Sequence, residues 1–211
     1  MGKTKTKKSK IIQMTLEGNE IQEDWNFARA DTSYLTHGLH DYPARMIPQI
    51  AQRLINRYSM EKNIIIDPFC GSGTTLVEAF LAKRNAIGSD INPFALLLSK
   101  VKSSPLNFKK LHFNEVEFLN NLENEYFLAK NNRKLPEAPI DIMPNLLHWF
   151  KESVACDLQF LKNKILEVEN KDIQDFLKII FSDTVFKTSN IDHRSSRFIR
   201  ILHKDELKKF N

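Results

Sequence analysis

The sequence predicts an α/β chain, with a parallel β-α-β unit in its first half and a mainly helical region after it. Three observations carry this expectation. Three isoleucines at positions 64–66 end in Asp67-Pro68, a short all-apolar, β-branched run of the kind a strand buried on both faces requires. Gly71-Ser72-Gly73 then breaks the chain ahead of apolar residues at helical spacing. A second short run, residues 86–90, closes the unit in the right-handed manner of parallel sheets.

The length of 211 residues suits one domain of ordinary size, and 42% hydrophobic with 27% charged residues reads as soluble and globular. No stretch approaches the roughly 18 apolar residues of a membrane span, which argues against a transmembrane role. The first ten residues hold five lysines (Lys3, Lys5, Lys7, Lys8 and Lys10) and no acid, so the whole net charge of +5 sits there. Residues 1–24 are expected to be a basic, flexible tail, with contact to phosphate as the sharper alternative. The tail lacks the apolar core of a secretory signal, and Cys70 and Cys156 form neither a paired motif nor a framework. A reducing, cytoplasmic setting is expected.

Between the tail and the first strand, Ile47, Ile50, Ala51, Leu54, Ile55 and Tyr58 fall on one helical stripe that starts at Pro48. After the glycines, Leu76, Val77, Phe80 and Leu81 predict a helix of about ten residues. Residues 25–105 thus hold the expected β-α-β region. Beyond Pro105 the character changes: Phe113, Val116, Leu119, Leu122 and Tyr126 keep helical spacing, and no clear strand follows. Leu147, Phe150, Val154, Leu158, Leu161, Ile165 and Val168 continue it over about six turns. Ile173, Phe176, Leu177, Ile180 and Phe181 resume after a break near Asn170. These stripes are read as core-facing, with residues 131–144 as a proline-bearing loop. Residues 106–211 are expected to be a mainly helical region.

The chemistry lies in Asp67-Pro68-Phe69-Cys70-Gly71-Ser72-Gly73-Thr74-Thr75, between strand and helix, where backbone N–H groups and the helix dipole favour an anionic group. No lysine follows Gly73, so this is not a phosphate-binding P-loop. Leu76 stands where a dinucleotide fingerprint needs its third glycine. What remains is a ligand with carboxylate, ammonium and ribose. Asp67 can meet the ammonium, the amides after Gly73 the carboxylate, and Asp90, at the end of the second strand, the ribose hydroxyls. S-adenosylmethionine is such a ligand.

These residues resemble the DNA methyltransferases that modify exocyclic amino groups of cytosine or adenine, whose cofactor loop reads Asp-Pro-Phe-x-Gly-Ser-Gly-Thr-Thr. A second family element is similar to Thr36-His37-Gly38-Leu39-His40-Asp41-Tyr42-Pro43-Ala44-Arg45, and a third to Gly88-Ser89-Asp90-Ile91-Asn92-Pro93. The resemblance covers roughly residues 25–105 and implies part of the Rossmann-like sheet of S-adenosylmethionine-dependent methyltransferases, with an additional helical region. It further implies that Asp67, Phe69, Cys70, Gly71, Gly73, Thr74 and Thr75 line the methionine end of the cofactor, and that Asp90 and Ile91 hold ribose and adenine. Thr36, His37, His40 and Tyr42 would fold beside them. Phe69 reads equally as a buried aromatic, and Cys70 as a small buried residue rather than a nucleophile. His37 and His40 have metal-ligand spacing but no third ligand joins them, so hydrogen bonding in the pocket or to the loop is expected. Arg45 reads as a carboxylate partner or as a solvated cation.

Transfer to an exocyclic amino group needs an acceptor for its hydrogens and a platform for the flipped base. The family supplies both with an Asp/Asn/Ser-Pro-Pro-Tyr/Phe tetrapeptide, and no two prolines are adjacent in this chain. Residues 188–197 are similar to a segment that some members carry ahead of that strand. Arg194, Arg197 and Arg200 read as phosphate contacts or as a solvated basic segment. The chain is therefore expected to be the cofactor-binding subunit or fragment of a methyltransferase acting on DNA, from a restriction-modification system. A second polypeptide would supply the catalytic strand and the target-recognition region. An inactive or regulatory remnant that only binds cofactor is the alternative, and a module acting on RNA the third reading. The target base stays open.

Overall fold

The computed structural model describes residues 11–14, 20–23, 25–104, 106, 114–141, 143 and 145–191. The lysines of residues 3–10 and Asp192, His193, Arg194, Arg197 and Arg200 lie outside them. The chain divides into two compact units, Met1–Ser103 and Ser104–Asn211.

In the first unit, β1 (Ile11–Met14) and β2 (Glu20–Glu23) pair antiparallel, with Ile11 opposite Glu23 and Met14 opposite Glu20. The sequence reading, which took residues 1–24 as a flexible tail, does not anticipate this hairpin. A short 3-10 turn, Leu35–Gly38, follows. Helix α1 (Pro48–Tyr58) opens on Pro48, whose fixed φ and missing N–H suit the first turn. Strand β3 (Ile64–Asp67), helix α2 (Thr74–Leu81) and strand β4 (Asn85–Gly88) make the expected β-α-β unit, and α3 (Pro93–Ser103) closes it. The two strands pair parallel, with Ile64 opposite Asn85 and Asp67 opposite Gly88. β4 ends at Gly88 rather than at Asp90, because Asp90 lies in the turn that leads into α3 and receives backbone N–H groups.

The core of this unit mixes alanines with isoleucines. Ala51 and Ile55 of α1 and Ala79 of α2 are buried together, with Ile65, Ala82 and Ala86 packed against them. Alternation along the strands sends Ile65 and Ala86 to this core and their neighbours to the other side. There the structure corrects the expectation of a strand buried on both faces: Ile64 is 60%, Ile66 70% and Ile87 57% exposed. An all-apolar run has no face preference of its own. The helices cover one side, and among the described residues nothing covers the other.

The second unit is helical, as expected. Helix α4 (Glu115–Asn131) is capped by Asn114, whose side chain accepts from the Glu117 N–H. Helix α5 (Leu146–Trp149) and helix α6 (Glu152–Leu166) divide what the sequence reads as one continuous stripe, since Phe150 and Lys151 are extended. Helix α7 (Lys171–Thr188) begins at the anticipated break. Asn170 caps it by accepting from Asp172 and Ile173 N–H. The buried Gln174 of α7 donates through Nε2 to Leu166 O and Val168 O, 3.0 Å each, and so satisfies carbonyls at the end of α6. Tyr126 OH donates to Asp157 Oδ1 at 3.1 Å, tying α4 to α6. No helix among the described residues is long and apolar enough to cross a membrane.

Candidate cofactor site

The glycine loop is a braced structure. At the end of β3 the Asp67 Oδ1 accepts the Phe69 N–H at 3.1 Å, an Asx turn that starts the loop. Cys70 N–H donates to Ser89 O at 2.9 Å, Gly73 N–H to Cys70 O at 2.8 Å, and Ser89 Oγ–H to Pro68 O at 3.0 Å. Gly71 N–H donates to Asp90 Oδ2 at 2.9 Å. Pro68, Cys70 and Gly71 of the loop are thereby tied to Ser89 and Asp90 just after β4.

Three glycines make this possible for different reasons. Gly71 and Gly73 have φ of +49° and +82°, in the left-handed region where a Cβ is strained. Gly73 also meets α3 directly, since a Cβ there would lie 2.7 Å from Ser99 Cβ and 2.8 Å from Ser99 Cα. At Gly71 the space is freer: within 4 Å a Cβ would meet only Tyr42 Cε1, at 3.8 Å. Gly88, which sequence reasoning does not single out, is needed because a Cβ would come within 2.9 Å of Cys70 Cβ and Leu76 Cδ1.

Asp90 does two things at once. Its Oδ2 holds Gly71, its Oδ1 accepts the Asn92 N–H at 2.9 Å, and these bonds, Asn92 first, hold its carboxyl below the usual range. A carboxylate has about four acceptor positions, so both oxygens keep capacity for a ligand. At the start of α2 the first helical bond is Val77 N–H to Gly73 O, which leaves the amides of Thr74, Thr75 and Leu76 ahead of it at the positive end of the helix. Thr74 Oγ1 is buried without a partner, and so is His40 Nε2.

Phe69 is 86% exposed, which removes the buried-aromatic reading, and Ile91 is fully exposed at the other side of the loop. Cys70 is buried and burial, as the largest cause, pushes its thiol pKa up, so little thiolate is present. Tyr42 stands over Gly71, and Asn92 Nδ2 donates to its OH at 3.4 Å. The His40 ring packs edge-on to Phe94, 5.1 Å between centroids, and its Nδ1 lies 2.6 Å from Asp41 O.

Thr36 and His37 are placed differently from the sequence expectation. Thr36 Oγ1 donates to Lys102 O at 2.9 Å. His37 is 0% exposed, with Nε2 at 2.8 Å from Glu78 Oε1, so it meets α2 and not the loop backbone. The Arg45 guanidinium donates to His37 O, a contact the sequence reading does not anticipate. Three participants were missed. Tyr34 OH donates to the same Glu78 oxygen at 2.5 Å, and burial followed by that bond drives the phenol pKa far up. Glu78 is 1% exposed inside α2. Lys102 is buried, its Nζ has no partner, and burial followed by the charge of Arg45 pulls its pKa down to about 8. One signal was available for Glu78: a lone acid within the apolar stretch Leu76 to Leu81.

The first unit is thus a β-α-β protein with a braced glycine loop facing an acidic strand end. The family model of N6- and N4-methyltransferases, described as DNA methylase, matches residues 1–101. The chain is 34% identical over 196 residues to the Type II methyltransferase M.MvaI of Kocuria varians, a match that spans 90% of this chain and 42% of the relative. It is 26% identical over 233 residues to the Type II methyltransferase M.MjaII of Methanocaldococcus jannaschii, across 81% of this chain and 44% of that protein. A shorter match, 40% over 52 residues, is to the tRNA (guanine(10)-N2)-dimethyltransferase of the same archaeon and spans 24% of this chain and 15% of the enzyme. No solved structure matches. On these findings residues 1–101 belong to the amino-methyltransferase family, and the likeness to the Type II relatives continues beyond them. The chain spans less than half the length of the two Type II relatives.

Proposed function

We propose that these 211 residues form the S-adenosylmethionine-binding part of a DNA methyltransferase that modifies an exocyclic amino group of cytosine or adenine in a restriction-modification system. The observation that carries the reading is the bond of Gly71 N–H to Asp90 Oδ2, which joins the glycine loop to the turn after the second strand, with Tyr42 beside Gly71. The donors and acceptors there suit the cofactor. Asp67 would take its ammonium, the first amides of α2 with the unpartnered Thr74 hydroxyl its carboxylate, and the free positions on Asp90 its ribose. Exposed Phe69 and Ile91 offer apolar surface to the sulfonium and adenine ends, and His40 Nε2 is a spare polar contact. When bound, S-adenosylmethionine supplies an electrophilic methyl group on sulfur.

The rest of the reaction needs groups from outside these residues. No Pro-Pro pair exists in the sequence to present the base platform and the acceptor for the amino hydrogens. We place both on a second polypeptide, together with target recognition. The missing pair also favours one other reading, a remnant that binds cofactor without transferring the methyl group. Calorimetry with S-adenosylmethionine and tritium transfer to mixed-sequence duplex DNA separate these. Cofactor binding without transfer, with transfer restored by a partner that carries a Pro-Pro-Tyr strand, is the expected result. Turnover by the chain alone sinks the divided-enzyme reading, and binding that no such partner converts to transfer supports the remnant.

A further inference from the structure

We propose that Glu78 is a positioning residue for the cofactor cleft: its one shared oxygen fixes the segment 34–45 on α2 and so sets Tyr42 over Gly71. The inference rests on the cofactor reading above and goes beyond it to a residue that touches no cofactor.

The geometry is convergent. Glu78 Oε1 receives Tyr34 OH at 2.5 Å and lies 2.8 Å from His37 Nε2, with both the glutamate and the histidine side chains at 0% exposure. A carboxylate so deep is costly unless donors meet it, and replacing it together with its polar partners by apolar side chains often packs as stably, whereas removing it alone strands their donors. Burial alone therefore does not require an acid here. What the acid adds is direction, because two donors three residues apart on one turn are drawn to a single point on α2. The same turn is closed by Arg45 donating to His37 O and by Thr36 donating to Lys102 O.

From this anchor the chain runs through His40, packed on Phe94, to Tyr42, which touches the Gly71 space and accepts from Asn92. Helix α2 is rigidly continuous with the loop through Gly73. Glu78 lies four residues beyond Thr74, about 6 Å along the axis. One short helix therefore carries the loop at its N-terminal end and the anchor of the segment 34–45 one turn further along. The width of the cleft between Tyr42 and Gly71 is set by where Glu78 holds the turn.

The test is calorimetry of S-adenosylmethionine on the full chain, with thermal midpoints measured without ligand. Glu78→Leu is expected to fold and to bind about tenfold more weakly, the equivalent of losing one well-placed hydrogen-bond pair. Glu78→Gln keeps an oxygen that accepts from both donors and should stay within about threefold of the parent. With Tyr42→Leu as background, Glu78→Leu should add no more than about twofold, since its effect passes through Tyr42. Tyr34→Phe removes one donor without volume, and about threefold weakening there tests the same anchor if Glu78→Leu does not fold. Parent-like binding by folded Glu78→Leu, losses that add in the double variant, or equal losses for Gln and Leu overturn the proposal. In the Tyr34→Phe case unchanged affinity overturns it. Failure of the unsubstituted chain to bind overturns the cofactor reading itself and this inference with it, whereas binding indifferent to Glu78 overturns only the inference.

Discussion

Gly71 and Gly73 share a motif and a sign of φ, yet they do different things. At Gly73 a methyl group would collide with Ser99 of α3 as well as strain the backbone, so Gly73→Ala should cost about 3 kcal/mol of stability in denaturant titration. At Gly71 the strain stands alone, and Gly71→Ala should cost only about 1–2 kcal/mol. It should nevertheless weaken S-adenosylmethionine binding, because the methyl enters the space beneath Tyr42. Asp90 is bonded to the loop and offers its remaining acceptor positions to the ligand. Asp90→Asn presents an amide to one of two backbone N–H groups and should weaken cofactor binding about tenfold in calorimetry. The Asp90 pKa lies below its unfolded value, so its contribution to stability is present at neutral pH and is lost as pH falls through the folded value. Lys102 is shifted in the same direction, but there burial disfavours the charged form instead of hydrogen bonds favouring it. With a folded pKa of about 8 against an ordinary 10.5, the unfolded chain holds the extra proton in that window, so stability should climb as pH rises from about 8 to 10.5. Lys102→Met should abolish that climb and raise stability at pH 7 by about 1–3 kcal/mol, read from urea midpoints.

At the scale of elements, legibility followed how local each cause was. The loop between β3 and α2 was readable because Asp67, the glycines and Asp90 act within one β-α-β unit, where order along the chain is order in space. The cap at Asn170 was readable as a break for the same reason, and Asn170→Ala should cost about 1 kcal/mol. The Glu78 anchor was not readable in the same way. Its partners stand 44 and 41 residues upstream, and nothing at Glu78 names them. His37 forms a hydrogen bond, as the sequence suggests, but to a partner the sequence does not name, since a histidine beside a functional segment looks alike whether it faces ligand or packs on a helix. The hairpin in residues 11–23 was hidden by composition, because the lysines before it dominate a reading made by charge. The split between α5 and α6 also escaped, as a helical stripe of apolar residues continues across the extended pair Phe150 and Lys151.

At the scale of the whole molecule, the β3–β4 sheet decides the last prediction. The apolar content of Ile64, Ile66 and Ile87 predicts burial, but burial depends on what lies opposite, which a run of isoleucines cannot specify. In the structure they form a bare strip on the side away from Ala51, Ile55 and Ala79. Since these three side chains contribute little buried area to the core on the other side, replacing one with a charge should leave the fold standing. Ile66→Lys is expected to keep the thermal midpoint within about 2 °C of the parent, as surface substitutions change stability by no more than about 0.5 kcal/mol. The same change should lower the fluorescence of a bound hydrophobic dye, because exposed apolar patches are what such dyes report. Ile65→Lys is the contrast: it points into the core and should unfold the unit or drop its midpoint steeply. Equal damage from the two substitutions would mean that the Ile66 face is covered in solution, and the description of a one-sided sheet would have to be abandoned.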